Sequence, residues 1–433
     1  MISLSVTRHL VTQLEHSEII SLYLKKTSTG EQNMLGKKCC KAAALIVLLV
    51  CVSFNSQAQV TIVKKASGFA GNPTLMFKGI SGDRGIAAAV SADLLMCGWF
   101  NVVKGYADYT ISGTAKAGNL HLSVIDKGSR SFSLDIHFDS KDPRKSAHLA
   151  VDSILKRIFS DSGMKGICSS KIAFCVETRK GIKEIYVADY DGQNVTAVTN
   201  SNTLSVEPDW VPGKKNLVYT KYGRAVTDIV ETDLTSKRSR RIAQYPGLNS
   251  GGAISPDGKT IALSLSRDGQ VELYTKPMDK RGQKRLTNSR SVEASPCWSP
   301  DGRMICYVSN KSGRPKLYLM GADGRGSRAV DTVGIEAVSP DWNDVNKVVY
   351  AARVGSTYKI AVADILTGQS IVIVNDGGDW ESPSWAPDNR HIIASRTLGG
   401  KSSLVIIDSW SGKIRIFVSS ANNLTLPSWS NLY

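Results

Sequence analysis

The side chains best suited to covalent or metal chemistry are few and far apart in this sequence. Beyond residue 58 the histidines are His121, His137, His148 and His391, and only His391 falls within the repeated part of the chain. The Gly-x-Ser-x-Gly elbow that places the nucleophile of many serine hydrolases does not occur. We therefore expect no catalytic residues, no cofactor and no metal site, and we expect His148 to serve packing or helix capping.

Cysteine usage indicates neither a zinc site nor a full disulfide framework. Three of the eight cysteines (Cys39, Cys40 and Cys51) lie in the first 58 residues. Five remain, so at least one is unpaired, and neither C-x-x-C nor a Cys/His spacing typical of zinc is present. These five are Cys97, Cys168, Cys175, Cys297 and Cys306.

Cys297 and Cys306 flank the turn Pro300–Arg303. If Asp301 and Gly302 form a two-residue hairpin loop, the two cysteines are directly opposed on neighbouring strands, which brings their Cβ atoms to about 4.5–5.5 Å. That distance approaches what a disulfide requires. Two hypotheses follow, a Cys297–Cys306 bridge or two buried thiols that act as small apolar residues.

The sequence Asp189-Tyr190-Asp191-Gly192 superficially resembles the start of a calcium loop. A twelve-residue ligand pattern does not follow it. We therefore interpret it as a tight turn.

The first 58 residues have the pattern of a targeting segment. A basic patch with Lys37, Lys38 and Lys41 precedes the apolar run Ala42–Phe54, and the small-residue site Ser56-Gln57-Ala58 follows. This order is typical of a secretory signal peptide, and the run is shorter than the roughly 20 residues of a membrane span. Met34 is a candidate true start. Lipidation at Cys51 is disfavoured because Val50 stands where a small residue is needed.

Charge and composition exclude several classes of protein. The sequence is 42% hydrophobic and 21% charged, which excludes a disordered chain, and its single long apolar run excludes a polytopic membrane protein. Without residues 1–58 the net charge is (54 − 6) − (38 − 3) = +13. The excess is spread along the chain without a basic helix or an aromatic RNA-binding motif. We expect a solvated basic surface and no nucleic-acid partner.

A repeat with a period of about 44 residues dominates the rest of the chain. The segment Pro296-Cys297-Trp298-Ser299-Pro300-Asp301-Gly302 recurs in degraded forms. Its Trp-equivalent positions are 210, 254, 298, 342, 385 and 429, with steps of 44, 44, 44, 43 and 44. Each unit holds a Trp-bearing strand, a tight turn, a second strand, a third strand and a weaker fourth. Four strands at this period predict the blades of a β-propeller.

The repeat also predicts how the ring closes. The segment Ile172–Val176 matches the second strand of a repeat unit but has no Trp-bearing strand before it. Conversely, the last Trp-bearing strand, Leu426–Ser430, has no further strands after it. Pairing these two segments completes a sixth blade and leaves no open sheet edge. We expect the recurring tryptophans to pack between blades and not to line a ligand cage.

Residues 59–165 do not share the repeat. Helical spacing is evident in Gly85–Cys97 and Pro143–Phe159, and strands are predicted at Val60–Lys64, Asn101–Val103, Tyr109–Gly113, Leu120–Val124 and Phe132–Phe138. The predicted fold is therefore mainly β, a six-bladed β-propeller (166–433) preceded by a small α/β domain (59–165) and a leader (1–58).

Beyond the leader, the chain resembles the TolB family, the periplasmic components of Tol-Pal systems. The resemblance rests on the Trp-Ser-Pro-Asp-Gly turns together with several longer stretches. These are Ala92–Phe100, Ala147–Asp152, Gly163–Phe174, Val187–Gly192, Ser312–Pro315 and Leu426–Ser430.

The resemblance implies a scaffold and not an enzyme. It implies binding of the peptidoglycan-associated lipoprotein Pal at one mouth of the propeller, contact of Gln59–Ala70 with TolA, and a role in outer-membrane integrity and constriction at cell division. Gln59–Ala70 departs from the family pattern at Lys64 and Lys65, and Leu248 replaces a family histidine. The positions that match the Pal-binding mouth are Glu207, Asn249, Glu293, Ser295, Glu336, Glu381 and Asn423.

Two other functions stay open at this point. One is an exported propeller that binds envelope glycans or secreted proteins without a Tol role, which the net charge of +13 permits. The other is a propeller hydrolase of the prolyl-oligopeptidase type, which requires a separate hydrolase domain that the sequence does not provide.

Overall fold

The computed structural model describes residues 71–160, 165–224, 226–374 and 376–431. Two structural parts follow one another along the chain, an N-terminal α/β region and a six-bladed β-propeller, as predicted. The predicted strand Val60–Lys64 and the leader lie outside the described residues. Neither helix in the described ranges has the length and apolarity needed to cross a membrane.

The N-terminal α/β region is a five-stranded sheet with two helices. Its sheet order is β2-β1-β3-β4-β5, with β1 parallel to both of its neighbours and β3, β4 and β5 antiparallel. The helices α1 and α2 pack against each other beside this sheet. The elements are β1 (Thr74–Gly82), α1 (Arg84–Met96), β2 (Asn101–Val103), β3 (Tyr109–Lys116), β4 (Asn119–Asp126), β5 (Ser131–His137) and α2 (Pro143–Ile158).

Sequence patterns located both helices but missed β1. Helix α1 begins where the Asp83 carboxylate accepts hydrogen bonds from the backbone N–H groups of Gly85 and Ile86, at 2.8 and 3.1 Å. It ends before Gly98, whose φ of +74° suits glycine. Apolar and polar residues do not alternate cleanly along β1, because the register of its pairing with β3 shifts between Phe77 and Ile80.

Six four-stranded sheets form the propeller. The first sheet combines β6 (Lys171–Arg179), β7 (Ile182–Asp189) and β8 (Thr196–Ala197) with the last strand, β29 (Leu424–Trp429). The other five contain β9 (Ser205–Trp210), β10 (Asn216–Tyr222), β11 (Thr227–Asp233), β12 (Ser239–Ala243); β13 (Asn249–Ile254), β14 (Thr260–Leu265), β15 (Glu272–Pro277), β16 (Lys284–Arg285); β17 (Glu293–Trp298), β18 (Met304–Ser309), β19 (Lys316–Gly321), β20 (Arg328–Ala329); β21 (Ala337–Trp342), β22 (Lys347–Val354), β23 (Thr357–Asp364), β24 (Ser370–Val374); β25 (Asp379–Trp385), β26 (His391–Leu398), β27 (Lys401–Asp408), β28 (Ile414–Ile416).

The ring closes by non-covalent pairing of its two ends, as predicted. Strand β29 is antiparallel to β6, with Leu424 opposite Val176 and Trp429 opposite Ile172. Beyond the ladder, the backbone of Lys171 exchanges hydrogen bonds with Ser430, each 2.8 Å long. All six residues of β29 are buried, so this strand contributes both edge pairing and core.

A left-handed residue recurs in every inner strand, three positions before the Trp-equivalent residue. The φ angles of these six residues lie between +49° and +64°, and the pairing register shifts beside each of them. Five are not glycine, which costs each on the order of 1 kcal/mol. The six are Glu207, Gly251, Ser295, Ser339, Ser382 and Leu426. Their spacing shows that the bulge belongs to the ring geometry and not to one residue type.

Tryptophans connect neighbouring blades. The indole N–H of Trp210 donates to the backbone oxygen of Ser428 at 3.0 Å, and that of Trp298 donates to Ala253 at 3.0 Å. In each pair the two residues belong to inner strands of adjacent blades. The expectation that the repeated tryptophans pack between blades is confirmed for these two.

The N-terminal α/β region packs against the propeller at the turn between β25 and β26. The Trp99 indole donates to Asp388 at 2.9 Å, and the same carboxylate contacts the His391 ring at 2.6 Å. The Arg390 guanidinium lies 4.7 Å from the centre of the Trp99 ring. At Gly98 a Cβ would be only 2.5 Å from His391 Nε2, so this contact requires glycine. The boundary expected near residue 165 lies between α2 and β6, and as a division into separately folding domains it stays a prediction.

The five cysteines of the described residues are all buried free thiols. Cys297 and Cys306 are directly opposed, so the predicted register is confirmed. The predicted two-residue loop is wrong: Ser299 and Met304 close a four-residue loop, with the Ser299 N–H donating to Met304 at 2.9 Å. The loop is longer by one residue on each side, and the pairing outside it is therefore unchanged. The structure therefore agrees with the hypothesis of two buried thiols and contains no Cys297–Cys306 disulfide.

Deleting Leu424–Tyr433 tests closure of the ring. The truncated protein lacks an inner strand, exposes the edge of β6, and uncovers the apolar surface that β29 buries. We expect aggregation or loss of cooperative melting, measured by circular dichroism and light scattering. A control that lacks only Leu432 and Tyr433 retains β29 and should melt like the intact protein. Cooperative melting of the longer deletion at an unchanged temperature would contradict the shared blade.

Alkylation tests the state of the two opposed cysteines. Burial raises the pKa of the Cys297 thiol well above its ordinary value, and Cys306 is fully buried. We expect no modification by N-ethylmaleimide in the native protein and modification of both residues in denaturant without reductant, measured by intact mass. If both react only after reduction, a disulfide joins them.

Candidate functional site

The predicted partner-binding residues gather at one end of the propeller channel. We call this end, where the six inner strands β9, β13, β17, β21, β25 and β29 begin, the entry mouth, and the Trp-bearing end the exit mouth. Glu207, Ser295 and Glu381 are each the third residue of an inner strand. The others are Asn249 and Glu293, which open β13 and β17, and Glu336 and Asn423, which directly precede β21 and β29.

Two of these residues are buried and support the mouth from inside. Asn249 is fully buried, and its side chain bonds the backbone of Tyr245 in both directions, at 2.8 and 2.9 Å. Glu293 is 2% exposed and accepts a hydrogen bond from the Ser289 hydroxyl at 2.9 Å. Burial raises the pKa of the Glu293 carboxyl. Neither side chain reaches solvent, so both hold loops and do not offer a contact surface.

Glu207 is a bridge between blades. Its carboxylate accepts hydrogen bonds from Thr220 in its own blade and from Ser250 and the backbone N–H of Gly251 in the next, the last at 2.7 Å. The Glu207 residue itself has a φ of +57°. A charge reversal here would therefore damage the ring as well as any surface that a partner contacts.

The remaining four residues are partly exposed at the entry mouth. Glu336 accepts a hydrogen bond from the Tyr358 hydroxyl at 2.6 Å, and Asn423 donates to Glu177 at 2.9 Å. Glu381 and Ser295 are each the third residue of their inner strand. Because the Ser295 hydroxyl oxygen is buried, the side chains of this group that a partner can reach are Glu336, Glu381 and Asn423.

Cationic side chains at this end were not part of the predicted set. Lys311 lies 3.8 Å from the centre of the Tyr318 ring and donates to Ser327 at 2.7 Å. Arg353 lies 3.6 Å from Glu336, and Arg396 lies 5.3 Å from the ring centre of Trp380. The entry mouth is thus mixed in charge. In the sequence, the signal would have been a Lys or Arg at the end of a second strand or just after it.

The exit mouth holds a narrow cavity of about 170 Å³ lined by tryptophans and by Asp209, Asp341 and Asp344. Asp209 accepts hydrogen bonds from the backbone of Trp210 and Ile254, at 3.0 and 3.3 Å. Asp341 accepts from the backbone of Trp342 and Trp385, at 3.0 and 2.7 Å. Each carboxyl therefore joins its own blade to the next.

Enclosure in the channel changes the acidity of both carboxyls. Burial raises the pKa of Asp209 to about 7, with a further contribution from the nearby charge of Asp341. Burial likewise raises the pKa of Asp341 to about 6. Both groups bind a proton more readily in the folded chain than in the unfolded chain.

One group of side chains outside the channel has the composition of a metal site. Ligand atoms of Asp93, His148 and Asp191 lie within 4.8 Å of one another, and all three residues are buried. However, His148 Nδ1 contacts Asp93 at 2.7 Å, the Tyr190 hydroxyl donates to Asp93 at 2.7 Å, and Arg144 pairs with Asp191. The group is therefore an ion-pair network between the two parts of the protein. It confirms the packing role expected for His148.

Replacing Asp209 by Asn tests the channel carboxyl. Because its pKa is higher in the folded state than in the unfolded state, the folded protein binds more protons over the intervening range and loses stability as pH rises. For the native protein we expect the free energy of unfolding to fall by on the order of 2 kcal/mol between pH 5 and pH 8 from this group.

The measurement is urea denaturation at several pH values. Asp209→Asn should flatten the slope with pH, whereas Asp279→Asn, at an exposed turn, should leave it unchanged. The same slope in Asp209→Asn and the native protein would show that Asp209 is ionised throughout.

Comparison with known proteins gives a consistent family. The model of the TolB beta propeller domain matches residues 161–433. The Tol-Pal system protein TolB of Ruthia magnifica subsp. Calyptogena magnifica is 35% identical over 324 residues, which cover 73% of this chain and 76% of that protein. The protein of the same name from Anaeromyxobacter dehalogenans is 28% identical over 292 residues, which cover 59% of this chain and 66% of the relative, just under two thirds of its length.

A solved structure shows the same fold. The crystal structure of TolB from Acinetobacter baumannii superimposes with a TM-score of 0.76 at 22% identity, and covers 85% of this chain and 98% of that one. The likeness therefore includes the N-terminal α/β region as well as the propeller. Since the family model matches all six blades and a relative 35% identical covers most of the chain, this chain belongs to the TolB family.

Proposed function

We propose that this chain is a periplasmic scaffold of a Tol-Pal system that binds Pal at the entry mouth. The observation that carries the proposal is the asymmetry of the propeller. The N-terminal α/β region contacts exit-side turns, through Trp99 to Asp388, Tyr190 to Asp93, and Lys165 to Asp344. Among the described residues these contacts leave the entry mouth uncovered.

The entry mouth has the character of a protein-binding surface. Partly exposed carboxylates, at Glu336 and Glu381, alternate with cations such as Arg353, whereas the rings of Tyr318 and Trp380 beneath the cations are buried. Interfaces combine such arginine side chains with a polar rim. The buried Asn249 and Glu293 hold the loops beneath, and this reduces the ordering cost of binding.

A second contact, with TolA, is proposed for Gln59–Ala70, which lies outside the described residues. Asn72, which follows this segment, donates to the backbone of Gly98 at 2.8 Å and accepts from Arg390 at 2.9 Å. The segment therefore joins the described structure on the exit side.

The scaffold role requires no catalysis. His391, the only histidine of the repeats, is 5% exposed and is engaged by Asp388 at the contact with the N-terminal α/β region, away from the channel. A function in outer-membrane integrity and constriction at cell division follows from membership of a Tol-Pal system. Export is supported by the signal-peptide pattern of residues 34–58.

Charge reversal at Glu381 tests the proposed Pal site. Glu381→Lys changes a partly exposed residue of the entry mouth, and we expect Pal from the same organism to bind about tenfold more weakly, or about 1.4 kcal/mol. Asp279→Lys makes the same charge change at an exposed exit-side turn and should bind as the native protein does. Calorimetry gives the dissociation constants, and the melting temperature confirms folding.

Two outcomes would contradict the site. Native affinity in Glu381→Lys excludes the entry mouth as the Pal surface, and equal weakening in Asp279→Lys assigns the effect to net charge. Pull-down from envelope extracts adds the broader test: recovery of glycans or unrelated proteins in place of Pal would favour a propeller without a Tol role.

A further inference from the structure

A basic cleft lies between α2 and the side of the propeller, away from the entry mouth. Its volume is about 410 Å³. The side of α2 contributes its first turns, and the propeller contributes the start of β6 and the turn between β9 and β10. We call it the interdomain cleft and define it by Arg144, Lys145, His148, Ser169, Lys171 and Lys215.

Positive charge predominates in this lining. Four lysine or arginine side chains face two carboxylates, Asp142 and Asp189. Lys171 is paired with Asp189 at 2.5 Å, and Arg144 is paired with Asp191. Lys145 and Lys215 are exposed and form no ion pair within the described residues. Within the described ranges, two cations and one unpaired carboxylate, Asp142, thus remain, and the surplus positive charge attracts an anion into the cleft.

Two buried polar atoms on this lining, Arg144 Nε and His148 Nε2, lack hydrogen-bond partners in the described part of the chain. Buried polar groups are nearly always hydrogen-bonded, so two such atoms around one cleft point to a ligand. The Arg144 group is a donor. Ser169, beside them, bonds the Asp152 carboxylate through its backbone N–H at 2.8 Å.

His148 is the more informative of the two because it is 94% buried, with an exposed fraction of only 6%. Its Nδ1 contacts the Asp93 carboxylate at 2.7 Å, and the Tyr190 hydroxyl donates to the same carboxylate. Nδ1 therefore carries the proton. Although burial opposes protonation, the hydrogen bond and charge of Asp93 raise the pKa of His148, and the protonated ring presents Nε2–H as a second donor.

The start of α2 adds a favourable field. This helix has 16 residues, and the Asp142 side chain makes no capping hydrogen bond to it. Its first backbone N–H groups carry the positive end of the helix dipole. Arg144 and Lys145 belong to that same first turn.

We propose that the interdomain cleft binds a phosphate-type oxyanion, either inorganic phosphate or the phosphate monoester of a larger molecule. A tetrahedral oxyanion offers acceptors in several directions, as the dispersed donors of Arg144, His148, Lys145 and Lys215 require. A planar carboxylate would satisfy fewer of them. The ligand would contact α2 and the propeller together, and its binding would stabilise their contact.

The first experiment uses the chain from residue 59 onward and inorganic phosphate as the probe. We expect saturable binding by calorimetry with a dissociation constant below about 10 mM, and an increase in melting temperature relative to chloride at equal ionic strength. Lys145→Ala/Lys215→Ala removes two exposed charges of the cleft and should weaken binding about tenfold or more without changing the melting temperature of the free protein.

The matched control is Lys180→Ala/Lys401→Ala, which removes the same charge from exposed hairpins outside the cleft. It should bind phosphate like the native protein. Equal weakening in both double variants, or the absence of saturable phosphate binding by the native chain, would overturn the proposal.

Vesicles distinguish the two sources of the phosphate group. Binding to phosphatidic acid vesicles, but not to phosphatidylcholine vesicles, with release by inorganic phosphate, assigns a lipid headgroup. Binding of phosphate without binding to either vesicle assigns a free anion or a soluble monoester. Vesicle binding that persists in Lys145→Ala/Lys215→Ala would place the membrane contact elsewhere and contradict a lipid in this cleft.

Discussion

The pairing of β29 with β6 is the contact on which the rest of this structure depends. Every blade of a propeller needs neighbours on both sides, and an unpaired inner strand would leave backbone groups and apolar side chains in water. The antiparallel ladder from Leu424 to Trp429 satisfies both requirements with residues that are all buried. Because this pairing is not covalent, the six blades form a closed ring only while its hydrogen bonds persist. Both mouths of the channel therefore depend on it.

Closure also explains why strain recurs at the same place in each blade. Six inner strands converge on one channel, and each has a left-handed residue and a register shift three positions before its Trp-equivalent residue. In Glu207 this bulge coincides with hydrogen bonds to Ser250 and Gly251 of the next blade. Strain of this kind persists only where surrounding contacts determine it, and here the ring provides them. The entry mouth is accordingly a rigid surface.

The two sides of the ring have different roles. The exit side carries the N-terminal α/β region, joined by Trp99, Asp388 and the network of Asp93, His148 and Tyr190. The entry side is uncovered in the described residues, which suits it to a protein partner. The interdomain cleft lies at the junction, so an anion bound there would act on the contact between the two parts and not on the entry mouth.

The period of 44 residues by itself determined the blade count and the closing strand, and the symmetric spacing of Cys297 and Cys306 about their turn determined their opposed register, because each depends only on spacing along the chain. The helical spacing of apolar residues in Gly85–Cys97 likewise placed α1. Tertiary structure decided the rest. Glu, Gly, Ser and Leu all occupy the bulge, so residue type does not encode its φ angle. Asn249 and Glu293 resemble contact residues in sequence, yet they are buried by loops, because burial depends on neighbours that only the folded ring brings together. The same holds for the interdomain cleft, whose lining residues come from α2, from the connector to β6 and from two blades.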